Sequence, residues 1–141
     1  MYSESYRYDN VYRYYDNLNI NSCLLAGLGE LELIPKWLKT RYPNLDLDIV
    51  EIDESKTSEN FKVIYKDIFK FTPNFKYDLI IFDIWYVREL NLLSEIKVLK
   101  KKYFPYLNKN GFMSLPMIDM HTVYNYVDLQ KERDQLNRSD A

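Results

Sequence analysis

The sequence predicts an α/β fold: a doubly wound, mostly parallel sheet of about five strands in the order 3-2-1-4-5, with helices on both faces. Three observations carry this expectation. Short apolar runs alternate with segments of helical periodicity along the chain. The first run ends in a glycine turn, Gly27-Leu28-Gly29. A later run, Leu79-Ile80-Ile81-Phe82, is continuously apolar, as a strand buried on both faces requires.

Taken in order, Tyr8, Val11, Tyr12, Tyr15 and Leu18 recur at helical spacing between Glu4 and Leu18, while Arg7, Asp9, Asn10, Arg13 and Asp16 fall mostly on other faces. An amphipathic helix is expected there, its tyrosines packed on the sheet. Cys23-Leu24-Leu25-Ala26 reads as the first strand. Leu31, Ile34, Leu38 and Tyr42 form the next helical stripe. Pro35 fits only in a first turn, where backbone N–H groups lack helical partners, so this helix should begin soon after Gly29 and stop at Tyr42-Pro43-Asn44. Leu45 to Ile52 is the second strand, and Glu54 to Asn60 is polar and too short for a packed crossover helix. Phe61 to Tyr65 and Tyr77 to Phe82 are strands three and four. Leu90, Leu93, Ile96, Val98, Leu99, Tyr103 and Phe104 mark a helix that stops near Pro105. Asn110-Gly111 is expected to supply a turn with positive φ before a fifth strand, Phe112 to Met117. Beyond it, a helix with a frayed tail is expected.

Composition bounds the function. At 141 residues, 47% of them hydrophobic, the chain is expected to form one domain: an N-terminal helix over 1–20, a core over 21–118, and a C-terminal helix and tail over 119–141. Cys23 is the only cysteine, which excludes an intrachain disulfide and a cysteine-ligated zinc site. The formal charge of -2 supplies no global field for nucleic acid or anionic lipid. No apolar run is long enough for a signal peptide or a membrane span, so a cytoplasmic protein is expected. The single histidine, His121, is expected as a surface or packing residue rather than a metal ligand. Lys97, Lys100, Lys101 and Lys102 are expected on a solvated helix face.

In such a sheet, ligands bind outside the carboxyl ends of the strands. Strand one ends in Gly27-Leu28-Gly29-Glu30, where missing Cβ atoms let backbone pass close to a ligand. Strand two ends at Glu51, about 20 residues beyond the glycine turn, the spacing at which an acid accepts both hydroxyls of an adenosine ribose. Strand three leads into Lys66-Asp67-Ile68-Phe69, where an Asp can accept from an adenine amine beside apolar residues. Strand four ends in Asp83-Ile84-Trp85-Tyr86. Glu30 and Glu32 in the first turn would repel a pyrophosphate and tolerate a cationic ligand, which disfavours a dinucleotide.

From about Asn21 to Met117 the sequence resembles the class I S-adenosylmethionine-dependent methyltransferase fold, a Rossmann-like family, and within it is most similar to spermidine synthases. Leu24 to Gly29 is similar to the glycine motif, Val50-Glu51-Ile52-Asp53 to the ribose-acid motif, and Lys66-Asp67-Ile68-Phe69 to the adenine-side motif. Tyr77 to Asp83 resembles the fourth strand with its substrate-facing Asp, and Asn108 to Phe112 the turn into strand five. The resemblance implies S-adenosylmethionine or decarboxylated S-adenosylmethionine held by Gly27, Leu28, Gly29, Glu30, Glu51, Ile52, Asp67 and Ile68, with no metal. It further implies transfer of an alkyl group from sulfonium to an amine or other nucleophile, with Glu30 toward the aminopropyl ammonium in the spermidine synthase form. Asp83 is the candidate to orient or deprotonate the acceptor, and Tyr86 joins it because Asp83-Ile84-Trp85-Tyr86 resembles in part the D-P-P-Y motif of amino-methyltransferases, without its prolines.

The sequence also departs from that family. It lacks the usual second Asp after Asp83, the crossover helix after Asp53, and the antiparallel strands that follow strand five. An exposed sheet edge, and with it a homo-oligomer, is therefore expected. The Asn-, Lys- and Tyr-rich composition fits a compact viral or AT-rich genome. The alternative function is a degenerate member that keeps the fold as an interaction or assembly module.

Overall fold

The computed structural model describes residues 9–85, 90–117 and 120–139. Helix α1 (Asp9–Tyr15) leads through a turn to β1 (Ser22–Ala26), followed by α2 (Leu33–Arg41), β2 (Asp46–Glu51), β3 (Val63–Tyr65) and β4 (Tyr77–Phe82). Helix α3 (Leu92–Tyr103) and a 3-10 turn (Phe104–Tyr106) precede β5 (Leu107–Pro116), β6 (His121–Asn125) and α4 (Tyr126–Ser139). The sheet has six strands in the order β3-β2-β1-β4-β5-β6. The first five are parallel, in the expected order, and β6 pairs antiparallel with β5.

Period-two alternation along the strands divides the core between the two faces. Cys23, Leu25, Ile49, Leu79 and Ile81 pack under α1 and α2 with Val11, Tyr15, Ile34 and Leu38. Leu24, Ala26, Val50, Ile80 and Phe82 pack under α3 and α4 with Ile96, Leu99, Tyr103 and Leu129. The α1 tyrosines serve packing, as expected: Tyr12 stacks on Trp37 with ring centroids 5.2 Å apart, and Tyr14 meets Phe112 edge-on at 6.0 Å. Pro35 is the third residue of α2, within the first turn that can accept it. No helix occupies the chain between β2 and β3, consistent with its polar, short sequence. The described helices include none long and apolar enough to cross a membrane.

Three expectations are corrected. Strand β5 begins at Leu107 rather than Phe112, and Gly111 lies inside it without a positive φ. The β4–β5 register jumps from Tyr77↔Leu107 to Leu79↔Phe112, so the Asn-Gly pair sits in a bulged strand instead of a turn. A Cβ on Gly111 would lie 2.9 Å from the carbonyl oxygens of both Asp78 on β4 and Asn108 in its own strand, and 2.7 Å from a Leu107 methyl, so the crowding at the bulge demands glycine. Second, the region after Met117 is not purely helical: Thr122, Val123 and Tyr124 form the middle of β6, whose β-branched and aromatic residues suit a pleated surface. Asn125 then caps α4, its Oδ1 accepting the Asp128 N–H at 2.8 Å. Strand β6 covers the β5 edge that was expected to be open. Third, Lys100 leaves the solvated face: its ammonium lies 2.8 Å from the Glu132 carboxylate and 4.3 Å from the centre of the Tyr124 ring.

Candidate functional site

The parallel strands bring the loops after β1, β2, β3 and β4 to one end of the sheet. Gly27 and Gly29 have φ of +101° and +75°, conformations that L side chains rarely adopt. The Gly27 N–H donates to the Val50 carbonyl at 2.8 Å, and a Cβ on Gly27 would stand 2.2 Å from the Asp83 carbonyl oxygen. The turn after β1 therefore presses directly on the chain leaving β4. The Asp83 N–H donates to the Ala26 carbonyl at 2.9 Å and carries the ladder one step beyond the strand.

Glu51 is the hub of the arrangement. It is 6% exposed at the end of β2, and its two carboxylate oxygens each accept one backbone N–H at 3.0 Å, from Leu28 through Oε1 and from Asp53 through Oε2. One side chain thus fixes the loops after β1 and β2 against each other. Each oxygen retains a second lone pair, the capacity that a vicinal diol would use. Leu28 is buried beneath this contact, whereas Ile52 beside it is 68% exposed.

The polar segment between β2 and β3 is held by side chains instead of a helix. Asp53 Oδ1 accepts the Ser55 hydroxyl at 2.7 Å and the Ser55 N–H at 3.0 Å, which together hold its carboxyl below the usual range. The Tyr65 hydroxyl donates to the Lys56 carbonyl at 2.7 Å, and the Ser58 hydroxyl donates to Glu32. Glu32 precedes α2 with φ of +53°, and Glu30 is exposed. Past β3, Asp67 Oδ1 accepts the Phe69 N–H at 3.0 Å, and Ile68 is buried with its carbonyl accepting the Tyr103 hydroxyl. Trp85 is buried in the core under α3, while Tyr86 lies outside the described residues. Glu30, Glu32, Glu51, Asp53, Asp67 and Asp83 all stand at or after carboxyl strand ends, a set that suits a cationic ligand and opposes a pyrophosphate. Among the described residues no group of three or more His, Cys, Asp or Glu is placed to hold a metal ion.

A second polar constellation was not anticipated. The Tyr15 hydroxyl lies 2.6 Å from Ser114 Oγ, which lies 2.6 Å from His121 Nε2, joining α1, β5 and β6. Tyr15 and Ser114 are fully buried, and Tyr14 and Tyr15 meet the His121 ring edge-on at 5.4 and 5.7 Å. The only sequence signal was a serine inside the apolar run Phe112-Met113-Ser114-Leu115.

Burial pushes His121 down from 6.5 to about 4. The unfolded chain therefore binds a proton at this ring before the folded protein does, so stability rises with pH between these values and is fully present above about 6.5. The unfolding free energy from urea titrations should fall from pH 7 to pH 4.5 by about 1–2 kcal/mol more in the wild type than in His121→Gln, a figure reduced for the solvent reaching the ring. Parallel pH profiles for the two proteins would refute the assignment.

No protein-family model matches the sequence, and no curated protein does. Solved structures do match. The plantazolicin methyltransferase BpumL, in complex with a monoazolic desmethylPZN analogue and SAH, is 19% identical over 77% of this chain and 43% of its own, with a TM-score of 0.55. The O-methyltransferase from a trans-AT PKS multienzyme of Brevibacillus brevis, in complex with S-adenosyl-L-homocysteine, is 17% identical over 75% of this chain and 39% of its own, with a TM-score of 0.57. An S-adenosylmethionine-dependent methyltransferase from Clostridium acetobutylicum is 21% identical over 72% and 44%, with a TM-score of 0.51. The chain has the class I methyltransferase fold. It spans less than half the length of each of these structures.

Proposed function

We propose that this chain binds S-adenosylmethionine and belongs to a methyltransferase, with the nucleoside across the glycine turn and Glu51. The observation that carries this reading is the buried Glu51 carboxylate, held by one N–H on each oxygen and keeping one acceptor position on each for the ribose hydroxyls. Ile52 and Ile68 would flank the adenine, with Asp67 accepting from its amine, and Glu30 would lie toward the cationic end of the ligand. The bound sulfonium supplies the methyl group. Asp83 then orients the acceptor, an amine or another nucleophile, and takes its proton directly or through water. Tyr86 is the second acceptor-side candidate.

The matched structures are methyltransferases, which favours methyl transfer over the aminopropyl transfer suggested by the spermidine synthase resemblance. Calorimetry separates the two. S-adenosylmethionine and S-adenosylhomocysteine should bind with Kd in the range of about 1–100 μM, and decarboxylated S-adenosylmethionine more weakly. Tighter binding of the decarboxylated form would restore the aminopropyl reading. A second reading, a fold kept as an interaction or assembly module, draws on the coverage of less than half of each matched structure. Absence of binding by all three nucleosides below about 1 mM would favour it.

A further inference from the structure

A bond between Glu32 and Ser58 joins the same two loops that Glu51 joins. Glu51 ties Leu28, in the loop after β1, to Asp53, in the loop after β2, through N–H bonds of 3.0 Å to each. Further along the first loop, the Glu32 carboxylate accepts the Ser58 hydroxyl from the second. The chain from Leu28 to Glu32, the chain from Asp53 to Ser58 and these two bridges form a closed ring, with the Glu51 carboxylate as one side of it. Ile52, the exposed apolar residue between Glu51 and Asp53, stands at that side.

The Ser58 hydroxyl is fully committed. Its two lone pairs accept the Asn60 N–H at 3.1 Å and the Phe61 N–H at 3.0 Å, which leaves its single proton for Glu32. Phe61 packs against the core under α1 and α2 and anchors this end of the loop. Asp53 grips Ser55, and the Tyr65 hydroxyl holds the Lys56 carbonyl, but these bonds stay within the β2–β3 connection and β3. Glu32 carries the segment across to the glycine loop.

Glu32 takes up that position under backbone strain. Its φ of +53° and ψ of +37° are left-handed, a conformation that disfavours a residue bearing a Cβ and that glycine adopts freely. Among the described residues it is the one non-glycine position with a positive φ. The side chain does not serve α2 either: Glu32 stands at the N-cap, yet it caps none of the helix N–H groups. What glutamate supplies here, and glycine could not, is an acceptor for Ser58. Strained backbone of this kind concentrates at ligand clamps.

We propose that Glu32 and Ser58 are positioning residues for the nucleoside, closing the ring that fixes the β2–β3 segment as the adenine-side wall where no crossover helix covers it. The role rests on the reading of Glu51 as the ribose acid. A closed ring presents Ile52 and the wall in the bound arrangement before the ligand arrives. An open ring must be ordered by the ligand, so apparent affinity falls with the fraction of molecules that are closed.

Calorimetry and urea unfolding on the same variants test this. In Glu32→Gly, relief of the backbone offsets the lost bond, so stability should stay near the wild type's while affinity for S-adenosylmethionine falls about five- to tenfold. Ser58→Ala should weaken S-adenosylmethionine and methylthioadenosine by the same factor, because both carry the nucleoside. Glu32→Gln keeps an acceptor oxygen for the Ser58 hydroxyl and should bind within about twofold of the wild type. Wild-type affinity in Glu32→Gly and Ser58→Ala overturns the proposal, as does a loss in Glu32→Gln equal to that in Glu32→Gly. Amide exchange on ligand-free protein separates this failure from failure of the nucleoside reading. The Asn60 and Phe61 amides should be protected in the wild type and exchange at least about tenfold faster in Ser58→Ala. Unprotected wild-type amides mean an open ring and overturn the proposal whatever calorimetry shows. Protected amides in a wild type that binds neither nucleoside refute the nucleoside reading, and the positioning role with it.

Discussion

Gly27→Ala lowers stability by at least about 3 kcal/mol, the largest effect expected of a single methyl group in this protein. Two independent penalties meet at this position. The backbone φ of +101° is strained for any L side chain. The added Cβ would also fall 2.2 Å from the Asp83 carbonyl oxygen and 3.0 Å from its carbon, and these are backbone atoms fixed by the Asp83 N–H to Ala26 bond. Relief requires the turn after β1 to move away from the end of β4, which separates the proposed nucleoside turn from the proposed acceptor acid. Gly29→Ala is the internal control. Its φ of +75° lies near the left-handed well, where alanine costs only about 1–2 kcal/mol. Urea unfolding of both variants checks the pair. A Gly27→Ala protein within 1 kcal/mol of Gly29→Ala would show that the close approach to Asp83 is absent in solution.

The features that the sequence displayed most clearly are those set by local pattern. Strand β4 was legible to the residue because Leu79 to Phe82 is buried on both faces and so carries no polar interruption. The start of α2 followed from Pro35 alone, and the strand order from the alternation of elements. Strand β5 was misread because Asn110-Gly111 has the composition of a turn, while the requirement for glycine there comes from the crowding of Asp78 on the neighbouring strand together with Leu107 and Asn108 in the bulged strand itself. Strand β6 was missed because its apolar residues are few and its partner, β5, supplies the pairing. The same limit applies to the site. The spacing from the glycine turn to Glu51 marked the residue, yet nothing local indicates that its carboxylate takes backbone donors from both Leu28 and Asp53. Tyr15 and Ser114, separated by 99 positions in the sequence, meet only once α1 lies against the sheet.

Glu51→Ala should abolish detectable S-adenosylmethionine binding and also lower stability by about 2–4 kcal/mol, because the buried Leu28 N–H and the part-buried Asp53 N–H lose their acceptor together. The coupling of these losses complicates a single variant, and Glu51→Gln separates them. Glutamine keeps the shape and one acceptor oxygen but places an NH2 group against one of two fixed donors, so either the Leu28 or the Asp53 N–H goes unpaired. About 1–2 kcal/mol of stability is then lost, and the protein stays folded at 25 °C. Its affinity for S-adenosylmethionine should nevertheless fall at least about tenfold, since charge-assisted bonds to the ribose hydroxyls contribute about 1.5–3 kcal/mol. Thermal unfolding with and without nucleoside reads both quantities on one sample: the wild type gains stability from the ligand and Glu51→Gln gains much less. A Glu51→Gln protein that is destabilised yet binds with wild-type affinity would leave Glu51 as a loop clamp only and move the ribose to another carboxylate, of which Asp53 stands two residues away with its Oδ1 already given to Ser55.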